Sequence, residues 1–332
     1  MTYVLVTGGA GYIGSHTCKQ LSLAGYTPVT FDNLSRGHRD LVKWGPLEEG
    51  DLSDSSRLKE VFSKYKFDAV LHFAAFAYVG ESMIKPQLYF DNNVRNGTIL
   101  LDACRIAGVR SIVVSSTCAV YGQPDILPIS EETSPAPINI YGYSKLMLES
   151  AVQSYCSCYG LNAISLRYFN ACGADPSLET GEDHDPEPHL IPRALMASAA
   201  RLPHLDVFGS DFDTPDGTCI RDYIHVSDLA RAHVKALQRL LSLDNKHGIH
   251  EVFNLGSAKG YSVREIIDAA SEVVGKQPVI KYEARREGDP GELIADAALA
   301  REVLDFTPEF TDLREILQTA WTWMEKRSTE RT

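Results

Sequence analysis

No apolar run in the sequence approaches the roughly 20 residues of a membrane span, which excludes a helical membrane protein. Basic charge is also short. Lys and Arg number 32 against 44 Asp and Glu, a formal charge of −12. That balance argues against nonspecific binding to nucleic acid or an anionic membrane. An anionic ligand therefore needs a local cluster of arginines. Paired cysteine spacing is missing as well. The seven cysteines are an odd number, and Cys156 and Cys158 lack the second Cys/His pair of a zinc site. Reduced, packed thiols in a cytoplasmic protein are expected, and no metal. Met1 to Thr7 holds no basic stretch ahead of its apolar residues, so no signal peptide is expected. Internal repeats and low-complexity segments are absent too.

What remains is an ordinary globular balance, 44% hydrophobic and 23% charged, over 332 residues. That length supports one large domain or two smaller ones. Tyr3–Thr7 reads as a short buried strand, and Gly8-Gly-Ala-Gly-Tyr-Ile-Gly14 follows it at once. A helical pattern runs from Ser15 to Ala24, and a second strand, Thr27–Phe31, ends at Asp32. Strand, glycine turn and helix in that order form a dinucleotide fingerprint, in which glycine lets the backbone approach a pyrophosphate and the helix N-terminus stabilises its charge. Asp32 can accept hydrogen bonds from ribose hydroxyls and repels a 2′-phosphate, which favours NAD over NADP. Arg36 reads as a solvated loop charge.

The alternation continues with a helix at Ser55–Tyr65, a strand at Ala69–Phe73, a long helix over Gln87–Ala107 and a strand at Ser111–Ser115. A helix then begins near Tyr141 and runs to about Tyr159, before a strand at Ala163–Tyr168. Such a pattern predicts a doubly wound parallel sheet, with ligands at the carboxyl ends of its strands. Gly8, Asp32, Phe73, Ser115–Thr117 and Tyr168 fall at those ends. The helix at Val226–Leu241 and the strand at Glu251–Leu255 look like a further unit of this sheet. The domains are drawn as 1–170, to which 226–256 returns, and 171–332. Gly173–Pro188 reads as loop, and Asp175–Asp185 within it as a solvated acidic stretch.

Tyr141 and Lys145 stand four residues apart, on one face of a helix. An ammonium beside a phenol favours the phenolate and is expected to lower the tyrosine toward neutrality, making a general base. Tyr143 has Met147 as its partner at the same spacing, so it is assigned to packing or the pocket wall. His72, His225 and His233 are assigned to structure, and Trp321 and Trp323 to core or interface.

With the glycine turn, Ser115-Ser-Thr117 and Tyr141-x-x-x-Lys145, the chain resembles the extended short-chain dehydrogenase/reductase family. Tyr89–Val94, Leu166–Asn170, Asp216–Val226 and Arg285–Asp289 are similar to its UDP-glucose 4-epimerase branch, over about Thr2 to Trp323. The resemblance implies a redox-neutral, NAD-dependent epimerase of nucleotide-sugar metabolism, working as a homodimer paired through the Gln87–Ala107 and Tyr141–Tyr159 helices. It implies that Thr117 and Tyr141 contact the sugar 4-hydroxyl and that Lys145 binds the nicotinamide ribose. Gly8, Gly11, Tyr12, Ile13, Gly14, Asp32, Asn33, Asp51, Leu52, Phe73, Ala74, Asn92, Ser115 and Tyr168 would complete the NAD site. Asn170, His189, Leu190, Phe208, Arg221, Arg286, Asp289 and Leu293 would hold the UDP-sugar. Departures from relatives are Thr117 for serine, Ala77 for lysine, His189 for asparagine and Leu293 for tyrosine. Rival readings are a UDP-xylose/UDP-arabinose 4-epimerase, a dehydrogenase that releases its cofactor, and a non-catalytic NAD-binding regulator.

Overall fold

The structure is a computed structural model that describes residues 2–243, 248–286 and 289–330. Glu287 and Gly288, inside the Arg285–Asp289 motif, lie outside the described residues. Strand β1 (Tyr3–Thr7) leads through the glycine turn into α1 (Tyr12–Leu23) and β2 (Thr27–Asp32). Then come β3 (Leu47–Glu49), α2 (Ser55–Lys64) and β4 (Phe67–His72). Two short helices, α3 (Val79–Ile84) and α4 (Pro86–Tyr89), precede a wider π-helical stretch at Phe90–Arg95 and α5 (Asn96–Ala107). The helix expected over Gln87–Ala107 is thus not regular. The wide turn brings Asn93 inward, where its amide bonds Phe76 N (2.8 Å), Phe76 O (2.9 Å) and Ser144 Oγ (3.0 Å). β5 (Ser111–Thr117), α6 (Ile140–Tyr159) and β6 (Asn162–Tyr168) follow. Asn139 caps the start of α6 through Gly142 N, and Gly160 ends it in the left-handed conformation.

Seven strands form one parallel sheet in the order β10-β6-β5-β4-β1-β2-β3, where β10 is a late strand, His250–Leu255. Both faces are covered, as parallel sheets require. Val4 and Val6 of β1 pack with Cys18 and Leu21 of α1, and Leu5 points the other way, toward Leu100 of α5 and Leu148 of α6. One-residue alternation along each strand therefore supplies two separate cores.

The chain departs from this sheet at β7 (Asn170–Cys172), then forms α7 (Leu190–Ser198), β8 (Leu205–Phe208), β9 (Ile220–His225) and α8 (Val226–Leu241), the helix that leads back to β10. β11 (Gly260–Ser262), α9 (Val263–Val274), β12 (Ile280–Glu283), β13 (Glu292–Leu293), α10 (Ala298–Leu304) and α11 (Leu313–Glu330) complete it. β7, β11 and β13 all pair with β9, and β8 pairs with β12. A separate core of Leu195, Ile266, Ile267, Ile316 and Leu317 holds α7, α9 and α11 together.

Three sequence expectations need correction here. The acidic stretch is only partly solvated: Asp185 is exposed, but Lys19 Nζ reaches Asp175 at 2.7 Å and Glu179 at 2.6 Å, and Arg327 reaches Asp183 at 2.7 Å. Loop 173–188 is thereby tied to α1 and α11. Tyr143 is neither packed nor in a pocket wall; its ring stands 46% exposed on the outer face of α6. Cys158 is exposed, while the other six free cysteines are buried.

Beneath α6, Arg167 Nη2 meets Glu149 Oε2 at 2.6 Å and Arg167 Nε meets Oε1 at 3.0 Å, both side chains less than a tenth exposed. Arg167 also donates to Tyr121 Oη at 3.0 Å, and Glu149 accepts from Ser116 Oγ. Removing one partner strands the other's charge in the interior. Arg167→Met is expected to cost about 3–5 kcal/mol in urea unfolding at unchanged m, and adding Glu149→Met should recover much of that loss. A single-variant loss within about 0.5 kcal/mol, the range of ordinary surface changes, would mean that the pair does not hold α6.

Candidate active site

The dinucleotide end is built from backbone. Gly8 sits at φ +74°, and a Cβ there would lie 2.6 Å from Ala74 N; one on Gly14 would lie 2.2 Å from Gly8 O. The turn therefore folds onto β4 and α1 only as glycine. No side chain caps α1, whose N-cap is Gly11, so the first-turn N–H groups face the cavity as an anion site. Asp32 accepts from Ala10 N (3.1 Å) and Leu34 N (2.8 Å), which fixes the turn to the end of β2. Burial raises its pKa. Asn33 Nδ2 donates to Asp51 Oδ2 at 2.6 Å.

Arg36 is not a solvated charge. Its Nη2 pairs with Glu81 at 2.6 Å, and its guanidinium lies 4.2 Å from the Phe76 ring centre and 4.7 Å from that of Tyr78. A cation spent on Glu81 and two rings is not on offer to a 2′-phosphate.

Tyr141 and Lys145 both lie on the buried face of α6. Lys145 Nζ donates to Ser115 O at 2.8 Å, and Tyr141 is hydrogen-bonded to Thr117. Burial pushes Lys145 down to about 8, partly opposed by Glu149 one turn on. Burial also pushes the Tyr141 phenol well above its ordinary value, with Tyr168 adding to the rise and Thr117 opposing it. The expected fall of Tyr141 beside Lys145 is thus overturned for the chain by itself. The ammonium points at the β5 carbonyl, and desolvation of the phenolate dominates. The arrangement holds the phenol neutral.

Every residue expected at the site lines one continuous cavity of about 1170 Å³. It extends from the glycine turn past Tyr141, Lys145 and Thr117 to Phe208, Arg221, Arg286, Asp289 and Leu293. At the far end Arg221 pairs with Asp289 and donates to Pro290 O at 2.7 Å. Arg286 lies 3.8 Å over the Phe208 ring. A volume above the range of about 300–1,000 Å³ usual for one ligand suits two. His72, His225 and His233 are buried and do not line it.

The family model described as "NAD dependent epimerase/dehydratase family" matches residues 4–256. The chain belongs to that family. The UDP-glucose 4-epimerase of Rhizobium meliloti (strain 1021) is 49% identical over 325 residues, covering 98% of each chain. The crystal structure of UDP-glucose 4-epimerase from Brucella ovis in complex with NAD is 51% identical, with a TM-score of 0.93 over 97% of this chain and 98% of that one. The UDP-glucose 4-epimerase of Bifidobacterium longum in complex with NAD+ and UDP is 36% identical, with a TM-score of 0.92 over 98% and 99%. NAD is the cofactor of this epimerase/dehydratase fold, and the glycine cradle fits its pyrophosphate.

Sequence reasoning missed part of the cavity wall. Phe76, Tyr78 and Glu81 line it beside Arg36, and Glu182 and His184 line it beside His189. Ser82 Oγ accepts from Tyr141 N at 3.1 Å, so α3 also seats the start of α6. The one local signal was the nearness of Ala77–Ser82 to a strand end.

Lys145 titrates below its ordinary 10.5 when folded, so the unfolded chain binds more protons between about pH 8 and 10.5. Its unfavourable contribution is complete below about pH 8 and fades as pH rises through that window. In NAD-stripped protein, Lys145→Met should therefore gain stability over wild type below pH 8, by at most on the order of 3 kcal/mol. The gain should shrink toward pH 10.5 in denaturant titrations. A gap that stays constant or widens would contradict burial as the cause.

Proposed function

We propose that the protein is a UDP-glucose 4-epimerase, interconverting UDP-glucose and UDP-galactose through a 4-keto intermediate with NAD held throughout. The observation that carries this is the joining of the Tyr141–Lys145–Thr117 group and the Arg221–Arg286 end in one cavity. In this reading Thr117 and Tyr141 hold the sugar 4-hydroxyl, and Tyr141 takes its proton. NAD supplies the acceptor, and later the donor, of the C4 hydride. Lys145 holds the nicotinamide ribose. The positive charge that the raised phenol needs is then available beside it. Asn170, His189 and Leu190 border the sugar, Phe208 and the two arginines bind the UDP part, and Asp289 orients Arg221. Guanidinium suits diphosphate oxygens. The ketone turns over in the pocket, and hydride returns to its other face.

An arginine end of this kind has no use in a dehydrogenase that releases its cofactor. Leu293, 7% exposed at the cavity floor, is proposed to discriminate partially against N-acetylated sugars, at roughly 10–200-fold per misfit group. Turnover of UDP-galactose without net NADH formation is expected, with Tyr141→Phe lowering kcat by roughly 10²–10⁴-fold and Tyr143→Phe far less. NADH accumulating in step with turnover would make the protein a dehydrogenase. A clear preference for UDP-xylose would make it a pentose epimerase.

A homodimer in the cytoplasm completes the reading. Tyr143 and Met147, 46% and 47% exposed at helical spacing on α6, supply an apolar outer face for a two-fold contact with α5 and α6 of a second copy. The cytoplasm keeps the seven free cysteines reduced. Light scattering at micromolar concentration is expected to give the dimer mass; a clean monomer would end this part of the proposal.

A further inference from the structure

Loop 173–189 carries the spacing Glu182-x-His184-x-x-Glu187-x-His189 just before α7. The four side chains converge. His184 Nδ1 lies 3.1 Å from Glu182 Oε1 and 3.6 Å from Glu187 Oε2. His189 Nδ1 lies 2.6 Å from Glu182 Oε1 and 3.0 Å from Glu187 Oε1. Each imidazole thus faces both carboxylates, and each carboxylate faces both imidazoles. All four donor atoms fall within 4.8 Å of one another. Separate ion pairs would need only one partner apiece.

We propose that this tetrad is a structural site for one divalent late transition-metal ion, zinc by preference. A tetrahedral zinc ion with nitrogen and oxygen ligands at 2.0–2.1 Å needs ligand-to-ligand distances of roughly 3.3 Å. The four imidazole–carboxylate contacts, 2.6 to 3.6 Å, bracket that edge, and the remaining two edges fall within 4.8 Å. Two imidazoles and two carboxylates favour zinc or cobalt over magnesium or calcium, which prefer all-oxygen sites. One divalent ion replacing two imidazole protons leaves the net charge of the cluster unchanged. With four protein ligands the coordination is closed, so the ion is structural rather than a generator of hydroxide.

The surroundings are already fixed. Trp323 Nε1 donates to Glu182 O at 2.9 Å, and His189 N donates to Glu187 Oε1 at 2.9 Å. The Tyr78 ring lies 5.9 Å from His184 and 6.0 Å from His189, and Tyr12 lies 6.3 Å from His184. A second cavity, of about 360 Å³, is lined by Glu182, His184 and Glu187, and Glu182 and His184 also line the main cavity, so the cluster can be reached from either. The ion would clamp the loop between the start of α1 and α7, and so rigidify one wall of the main cavity. This inference does not rest on the sugar chemistry proposed above.

The test uses untagged full-length protein, stripped with chelator and then titrated with zinc and, separately, cobalt. Wild type should bind one equivalent of zinc per chain by calorimetry and elemental analysis, with a rise in Tm. Cobalt should give the intense visible bands of four-coordinate N/O ligation. Glu182→Gln and His184→Gln should lose the bound metal and the Tm rise, while His204→Asn, whose ring pairs with Asp206 elsewhere, should keep both. If a variant does not fold, the cobalt spectrum of wild type still decides. Absence of four-coordinate bands, or equal zinc retention by wild type and Glu182→Gln, would overturn the proposal and leave a network of ion pairs.

Discussion

All seven strands of the main sheet run parallel, and most of the molecule follows from that. Parallel strands place every carboxyl end at one edge, and the glycine turn, Asp32, Phe73, Thr117 and Tyr168 arrive there together. Most of the crossovers between these parallel strands carry a helix, so both faces are covered and the strands are buried along nearly their whole length. β7 starts at the same edge, two residues after β6, and pairs with β9. The second compartment is therefore rooted where the first one opens. A cavity between them is a consequence of topology before any side chain is chosen.

Electrostatics sharpen that cavity. The chain is acidic overall, yet its cavity cations are local and mostly spoken for: Arg36 by Glu81, Arg221 by Asp289, Lys145 by a backbone carbonyl. Burial moves Lys145 down and Tyr141 up. Both shifts have one main cause, removal of the charged form from water. Below them, the Arg167–Glu149 pair keeps α6 in place without entering the cavity.

Local patterns made much of this legible in the sequence. The glycine turn, the strand-helix alternation and the four-residue spacing of Tyr141 and Lys145 each need only a short window. α8 and α9 begin and end where their apolar periodicity does. What stayed hidden depends on partners distant in sequence. Arg36 looks solvated until Glu81, 45 residues on, closes over it. Asp175 looks solvated until Lys19, 156 residues back, meets it. The short strands β7, β11 and β13 carry too few residues for a period and exist through β9. Tyr141 was placed correctly on its helix, but the direction of its pKa depends on burial beside Tyr89, Thr117, Cys118 and Tyr168, which come from other elements of the fold.

A hydride that leaves C4 and returns to C4 without leaving the protein is the core of the proposed chemistry. Its most direct measurement is the fate of deuterium in UDP-galactose labelled at C4, followed by NMR through many turnovers with unlabelled NAD in the medium. Retention of the label at C4 of UDP-glucose, with none in water or in the NAD pool, is the predicted result. Loss of the label to solvent, or its appearance in free NADH, would contradict it.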